Sequence, residues 1–130
     1  LMFNNRIYGL TKGQYSPTSE RGKVTKSTPL GSIDEPINPL AIALAAECTF
    51  VARAIDVDAK MLVPVMERAA GHPGCAFIEV YQNCNIFNHQ TWFYASQKDS
   101  RSNNTVDLVH LLFRQRLLGR CHPLSLPPLL

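Results

Sequence analysis

No two cysteines of this chain are spaced Cys-x-x-Cys, so no zinc knuckle is encoded in it. The four present are Cys48, Cys75, Cys84 and Cys121. An apolar core is available without them, which argues against a secreted disulfide scaffold and for reduced, intracellular thiols. No apolar run reaches the ~18 residues of a membrane span. There is no basic start, apolar stretch and small-residue cleavage site of a secretory leader. The Gly-x-x-x-x-Gly-Lys-Ser/Thr frame of a Walker loop is missing, and Gly22-Lys23 does not fit it. No internal repeat is found. Basic and aromatic residues do not interleave as nucleic-acid binding demands.

What is present suits one soluble globular unit with a modest core. The chain has 130 residues, 45% hydrophobic and 18% charged, with a net charge of +3. The charge is uneven. Residues 38–88 carry three Lys/Arg and five Asp/Glu, and residues 89–130 carry five and two. The basic end reads as a solvated tail rather than a nucleic-acid site. Leu1-Met2-Phe3 enters an apolar stretch with no cap or turn before it. That opening reads as a segment of a longer chain.

The element pattern alternates. Leu1-Met2-Phe3 is the tail of a buried strand that ends at Asn4-Asn5. Residues 9–37 gather Gly9, Gly13, Pro17, Gly22, Pro29, Gly31 and Pro36. A loop this long in a compact unit is functional or disordered. Asn38 caps a helix with Pro39 at its first position, and Leu40 to Glu47 is apolar nearly all round, which predicts burial. Residues 49–53 read as a strand. Asp56 or Asp58 opens a helix over 59–70, with a kink or late start at Pro64, and Gly71-His72-Pro73-Gly74 stops it. Residues 76–81 form a strand that ends at Gln82-Asn83-Cys84. Cys48 and Cys75 read as packing residues, and His72 as a turn residue. Strands alternating with helices predict an α/β fold, a parallel sheet with flanking helices. Ligands of such sheets sit beyond the carboxyl ends of the strands. Two polar clusters fall there, Asn4-Asn5 and Gln82-Asn83-Cys84.

The chemistry of those clusters is suggestive. Asn oxygens suit magnesium, a hard cation that bridges protein to phosphate. An Asn pair alone is more often a turn or a cap. The stretch Tyr8-Gly9-Leu10-Thr11-Lys12-Gly13-Gln14 adds glycines, a hydroxyl and a cation, the groups that hold a diphosphate or carboxylate.

Three stretches carry a resemblance. They are Asn4 to Thr18, Thr28-Pro29-Leu30-Gly31-Ser32-Ile33-Asp34, and Gln82-Asn83-Cys84-Asn85-Ile86-Phe87-Asn88. In this order they resemble the thiamine-diphosphate-binding β subunits of 2-oxoacid:ferredoxin oxidoreductases, the 2-oxoglutarate type in particular. The resemblance runs from Leu1 to about residue 100. It implies that the Asn5 side chain and the Ile7 main-chain carbonyl hold magnesium (Mg2+). Gly9, Leu10 and Thr11 run past the diphosphate, and Lys12 lies near the 2-oxoacid carboxylate. Cys84 resembles the fourth thiolate ligand of a 4Fe-4S cluster. By itself a lone cysteine is more often a small buried hydrophobe.

The implied reaction is oxidative decarboxylation of a 2-oxoacid to acyl-CoA and CO2, with ferredoxin as electron acceptor. The implied partners are an α subunit, which supplies the glutamate that activates thiamine, together with ferredoxin, coenzyme A and 2-oxoacid. A cytoplasmic protein is implied, with no membrane and no nucleic-acid partner. The upstream Gly-Asp-Gly half of the magnesium site and three cluster cysteines do not occur in this sequence. The chain alone is therefore expected to bind cofactor poorly and be inactive. The other reading is a remnant or interaction module that keeps only the fold.

The tail departs from the family. Residues 1–104 are read as part of the thiamine-diphosphate domain and 105–130 as a foreign tail. Phe113-Arg114-Gln115-Arg116 can be encoded TTT CGG CAA AGA followed by C, and a one-base shift then reads TTC GGC AAA GAC, Phe-Gly-Lys-Asp, a family-like ending. A frameshift near residues 105–110 is the hypothesis. Residues 106–118 still have one-faced helical spacing, and the Leu/Pro-rich end is expected to lack a fixed place.

Overall fold

The computed structural model describes residues 1–97. The expectations for the tail, its helix and the boundary at residue 104 lie outside them. Along the chain run β1 (Met2–Asn4), β2 (Ile7–Tyr8), β3 (Gln14–Tyr15), α1 (Pro39–Ala45), β4 (Phe50–Ile55), α2 (Ala59–Ala70), β5 (Ala76–Tyr81) and α3 (Phe93–Ser96). The main sheet has order β1-β5-β4, and both pairings are parallel. The α/β fold and its parallel sheet with flanking helices are thus as expected.

Alternation along the strands explains the layers. Phe50 and Ala52 of β4 and Ile78 and Val80 of β5 face α2, where they pack on Val65, Leu62 and Ala69. Val51 and Phe77 point the other way, onto Leu40, Ala43 and Leu44 of α1 and onto Cys48. A third cluster, Ile55, Tyr81, Trp92 and Ala95, closes the carboxyl end of the sheet. Strands covered on both faces read as apolar runs, which is how β4 and β5 were legible.

The helix ends follow their local chemistry. Asn38 accepts from the N–H groups of Leu40 and Ala41, with Pro39 in the first turn. Asp58 stands at the N-cap position of α2, which starts at Ala59. The helix continues through Pro64, so the late start is corrected. Proline there removes only the bond to the carbonyl of Lys60.

Four other expectations are corrected. α1 is not buried all round: Pro39, Leu40 and Ala43 are buried, while Ile42 is 54% exposed. A single helix laid on a sheet touches it along one stripe only. Cys48 packs in the core with Leu40, Ala43 and Val51 as expected, but Cys75 is exposed, not packed. β4 runs on to Ile55 because Ala54 and Ile55 pair with Val80 and Tyr81. The long loop over residues 9–37 is interrupted by β3, which pairs antiparallel with β2.

The candidate cofactor loop and the cysteine turn

The site grows from the carboxyl end of β1. Asn4 pairs with Tyr81 in the parallel register, so the ends of β1 and β5 lie side by side. The N–H of Gln82 donates to the carbonyl of Asn4 at 3.0 Å. The two polar clusters singled out in the sequence are therefore neighbours.

The two asparagines do different work. Asn4 is 4% exposed. Its amide donates to Glu79 Oε1 at 2.7 Å, and its oxygen accepts from Thr18 Oγ1 at 2.7 Å and from the Arg6 N–H at 3.1 Å. Its bonding capacity is largely spent inside the fold. Asn5 is half-buried, and its oxygen accepts from the Ile7 N–H at 3.2 Å. Among the described residues one lone pair of that oxygen remains, as a metal ligand requires. These successive Asx turns reverse the chain out of β1, and Arg6 between them takes φ 55°.

The loop from Gly9 to Gly13 is tight and outward-facing. The Lys12 N–H donates to the carbonyl of Gly9 at 3.1 Å, and the Gly13 N–H to that of Tyr8 at 2.8 Å. Leu10 is 98% exposed, and Thr11 and Lys12 are exposed too. Thr11 Oγ1 donates to Gln14 Oε1. A side chain at Gly9 would meet no described atom within 4 Å. At Gly13, φ is +103°, and a Cβ would lie 2.9 Å from a ring carbon of Phe87. This is where a glycine is needed.

Phe87 belongs to the turn that begins at Cys84. Cys84 and Asn88 form an isolated bridge, and the Phe87 N–H points at Cys84 Sγ at 3.5 Å. Burial raises the pKa of the Cys84 thiol. The N–H groups of Phe87, Ile86 and Asn88 outweigh that and hold it below the ordinary value. A thiolate cradled by backbone donors is a fitting ligand for iron. Among the described residues no group of three His, Cys, Asp or Glu could hold a metal ion.

Asn88 joins the turn to the loop. It is 5% exposed, and its amide donates to the carbonyls of Asn5 at 3.0 Å and Arg6 at 3.2 Å. Its oxygen accepts from Lys23 Nζ at 2.6 Å. Ser19 Oγ also donates to the Arg6 carbonyl, at 2.6 Å.

Beneath the loop lies a network that sequence reasoning missed. Buried Glu79, 1% exposed, takes Asn4 on one oxygen and Arg53 on the other, both from Nε and from a terminal nitrogen at 2.8 Å. The signal was available. Phe-Val-Ala-Arg-Ala-Ile and Ala-Phe-Ile-Glu-Val-Tyr each hold one charge at the fourth place of an apolar strand. The register pairs those two positions. An aromatic stack was missed as well. Trp92 lies 3.5 Å from Tyr81, ring on ring, and donates Nε1–H to the Asn4 carbonyl at 2.7 Å. The Arg6 guanidinium sits 3.8 Å above Trp92, and that of Arg53 is 4.8 Å from Tyr81. Burial, foremost, pushes the Tyr81 phenol up to about 12. These groups line a cavity of about 220 Å³.

Comparisons with known proteins agree with the parallel α/β fold. Residues 1–80 match the model of the thiamine pyrophosphate enzyme C-terminal TPP-binding domain. Over 110 residues, 85% of this chain, the sequence is 56% identical to 2-oxoglutarate oxidoreductase subunit KorB of Mycobacterium tuberculosis. Over 88 residues, 68% of the chain, it is 46% identical to the 2-oxoacid:ferredoxin oxidoreductase subunit beta of Saccharolobus solfataricus. The match spans 29% of the length of each of these relatives. Among solved structures, the 2-oxoglutarate:ferredoxin oxidoreductase from Magnetococcus marinus, with 2-oxoglutarate, coenzyme A and succinyl-CoA bound, superposes with a TM-score of 0.65. That match has 39% identity and covers 69% of this chain and 32% of the other. Among the described residues no helix is long and apolar enough to cross a membrane. The chain belongs to the thiamine pyrophosphate enzymes, and residues 1–80 are part of their C-terminal TPP-binding domain.

Proposed function

We propose that this chain is the cofactor-loop part of the β subunit of a cytoplasmic 2-oxoacid:ferredoxin oxidoreductase. The favoured substrate is 2-oxoglutarate, converted with coenzyme A to an acyl-CoA and CO2. The observation that carries the reading is the clamp by Asn88, which holds the cysteine turn against the asparagine loop. A redox ligand and a diphosphate loop belong together only where oxidation follows the cofactor's chemistry. The relatives named above, and the 2-oxoglutarate and coenzyme A bound in the solved one, support the same substrate class.

When bound, thiamine diphosphate supplies an electron sink for decarboxylation, and a 4Fe-4S cluster supplies a one-electron relay toward ferredoxin. This chain's part is positional. Asn5 offers its remaining side-chain lone pair to Mg2+, and Ile7 its main-chain carbonyl. Gly9, Leu10 and Thr11 run past the diphosphate, and the open space about Gly9 suits that role. Lys12, exposed at the loop tip, attracts the carboxylate of the 2-oxoacid. Cys84 supplies one thiolate to the cluster.

A catalytic centre assembled this way needs further groups. The aspartate of a Gly-Asp-Gly stretch and three more cysteines are assigned to upstream sequence, and the thiamine-activating glutamate to an α subunit. The chain by itself is then inactive. Residues 1–104 form the domain, and 105–130 are a tail of foreign reading frame.

The test uses the full-length subunit coexpressed with its α partner. Coenzyme-A-dependent reduction of a viologen dye is followed with 2-oxoglutarate and with pyruvate, for wild type, Asn5→Ala and Lys12→Met. Activity with 2-oxoglutarate that Asn5→Ala abolishes is expected. Lys12→Met should raise KM on the order of 10- to 100-fold, the range of a lost charge-assisted hydrogen bond. A soluble, cluster-containing complex inert toward both acids would sink the reading in favour of a remnant that keeps only the fold.

A further inference from the structure

Two cysteines meet at the opposite end of the sheet from the cofactor loop. Cys48 follows α1 and leads into β4, while Cys75 immediately precedes β5. Their backbones are fixed beside each other. The N–H groups of Thr49 and Phe50 donate to the carbonyl of Cys75 at 3.2 and 3.1 Å. The Cys48 N–H is held by the carbonyl of Ala43 at 3.0 Å. The two sulfurs are 3.6 Å apart. Cys48 is buried and Cys75 exposed. Cys84 sits beyond the far end of β5 and cannot compete for either.

A disulfide needs its sulfurs at about 2.05 Å, so the pair has roughly 1.5 Å left to close from its present 3.6 Å. The asymmetry of exposure fits a two-step oxidation: an accessible thiol meets the oxidant, and a sheltered one resolves the product. Cys48 is well placed to wait as a neutral thiol. Burial foremost, and then its contact with Cys75, raises its pKa. Its sulfur also lies 3.1 Å from the carbonyl of Cys75 and 3.2 Å from that of Phe50, each of which can accept a hydrogen bond from the thiol.

We propose that Cys75 and Cys48 form a hydroperoxide-responsive dithiol that closes to a disulfide between the end of α1 and the start of β5. In the first step the Cys75 sulfur, as thiolate, attacks a peroxide oxygen. An S–O bond forms, the O–O bond breaks, and an alcohol or water leaves with the proton. Cys75 is oxidised to the sulfenic acid and the peroxide is reduced. In the second step the Cys48 sulfur attacks Cys75 Sγ. The S–S bond forms, the S–O bond breaks, and the hydroxyl leaves as water with the Cys48 proton. Two thiols and one hydroperoxide thus give one disulfide, one alcohol and one water. The proposal rests on the fold alone and stands or falls apart from the catalytic reading.

The experiment uses the full-length subunit in complex with its partner, reduced and prepared without oxygen. Hydrogen peroxide is added in stoichiometric amount. The reaction is quenched in acid, remaining thiols are alkylated, and non-reduced digests are sequenced by mass spectrometry. The expected result is a Cys48–Cys75 crosslink, two hydrogens lighter, rising from none to most of the chains and reversed by dithiothreitol. Cys48→Ser should leave a sulfenic acid at Cys75 that dimedone traps. Cys75→Ser, a change at an exposed site, should leave Cys48 unoxidised. If Cys48→Ser does not fold, wild type and Cys75→Ser decide alone. Wild type in which Cys75 overoxidises, stays free, or pairs with any thiol other than Cys48 overturns the proposal.

Discussion

The side-chain amide of Asn88 donates to the main-chain carbonyl of Asn5 at 3.0 Å, although 83 residues separate them. With its second bond, to the carbonyl of Arg6, it fixes the loop that leaves β1. Asn88→Ala should therefore loosen that loop without unmaking the sheet. Its two bonds to the loop, lost together with the one from Lys23, correspond to about 1–3 kcal/mol, or roughly 5- to 150-fold weaker thiamine diphosphate binding. Calorimetric titration of the full-length complex with the cofactor checks this. Unchanged affinity would detach the cysteine turn from the cofactor loop.

Asn4 and Asn5 should separate by readout. Asn4→Ala leaves one oxygen of buried Glu79 without its donor and Thr18 without its acceptor. It should lower folding stability by about 1–3 kcal/mol even with no cofactor present. Asn5→Ala touches a half-buried residue with a single local bond, and should change stability little while weakening magnesium-dependent cofactor binding. Thermal unfolding and cofactor titration of both variants make the comparison. Equal effects on stability would count against the division of roles.

Glu79 and Arg53 should show strong coupling. Arg53→Leu leaves a carboxylate buried on the sheet, with Asn4 as its remaining partner. The cost is expected at about 3–5 kcal/mol. Leu at both 53 and 79 should recover much of that loss, because the uncompensated charge is gone. Denaturant unfolding of the two singles and the double gives the coupling energy directly.

Cys84 should ionise more readily folded than unfolded. Its pKa is lowered in the fold, so the thiolate is favoured there and the associated stability is present above the unfolded pKa. That stability is lost as pH falls through the folded value. In protein free of iron, the pH midpoint for alkylation of Cys84 should lie below that of the same cysteine in urea. Coincident midpoints would mean that the backbone N–H groups do not stabilise the thiolate.

Local chemistry made much of the fold legible. Asn38-Pro39 announces a helix start because a cap and a fixed φ act within a few residues. Ala76–Tyr81 reads as a strand because both its faces are covered and its run is apolar. The burial of α1 was overread because composition reports what a helix can bury, whereas contact with one sheet face decides what it does bury. The β2–β3 pair was missed because two-residue strands carry no periodicity.

The alternating α/β order, the strand ends at Asn4-Asn5 and Gln82-Asn83-Cys84, and the motif that names the family are all legible along the chain. Each depends on neighbours along the chain. The fold was needed to show that Asn4 bonds Glu79 while Asn5 keeps a lone pair free of the described residues, that Asn88 grips the loop, and that Arg6, Trp92, Tyr81 and Arg53 stack. These contacts join residues tens of positions apart. They exist because β5 lies between β1 and β4, and that register cannot be read from any one segment.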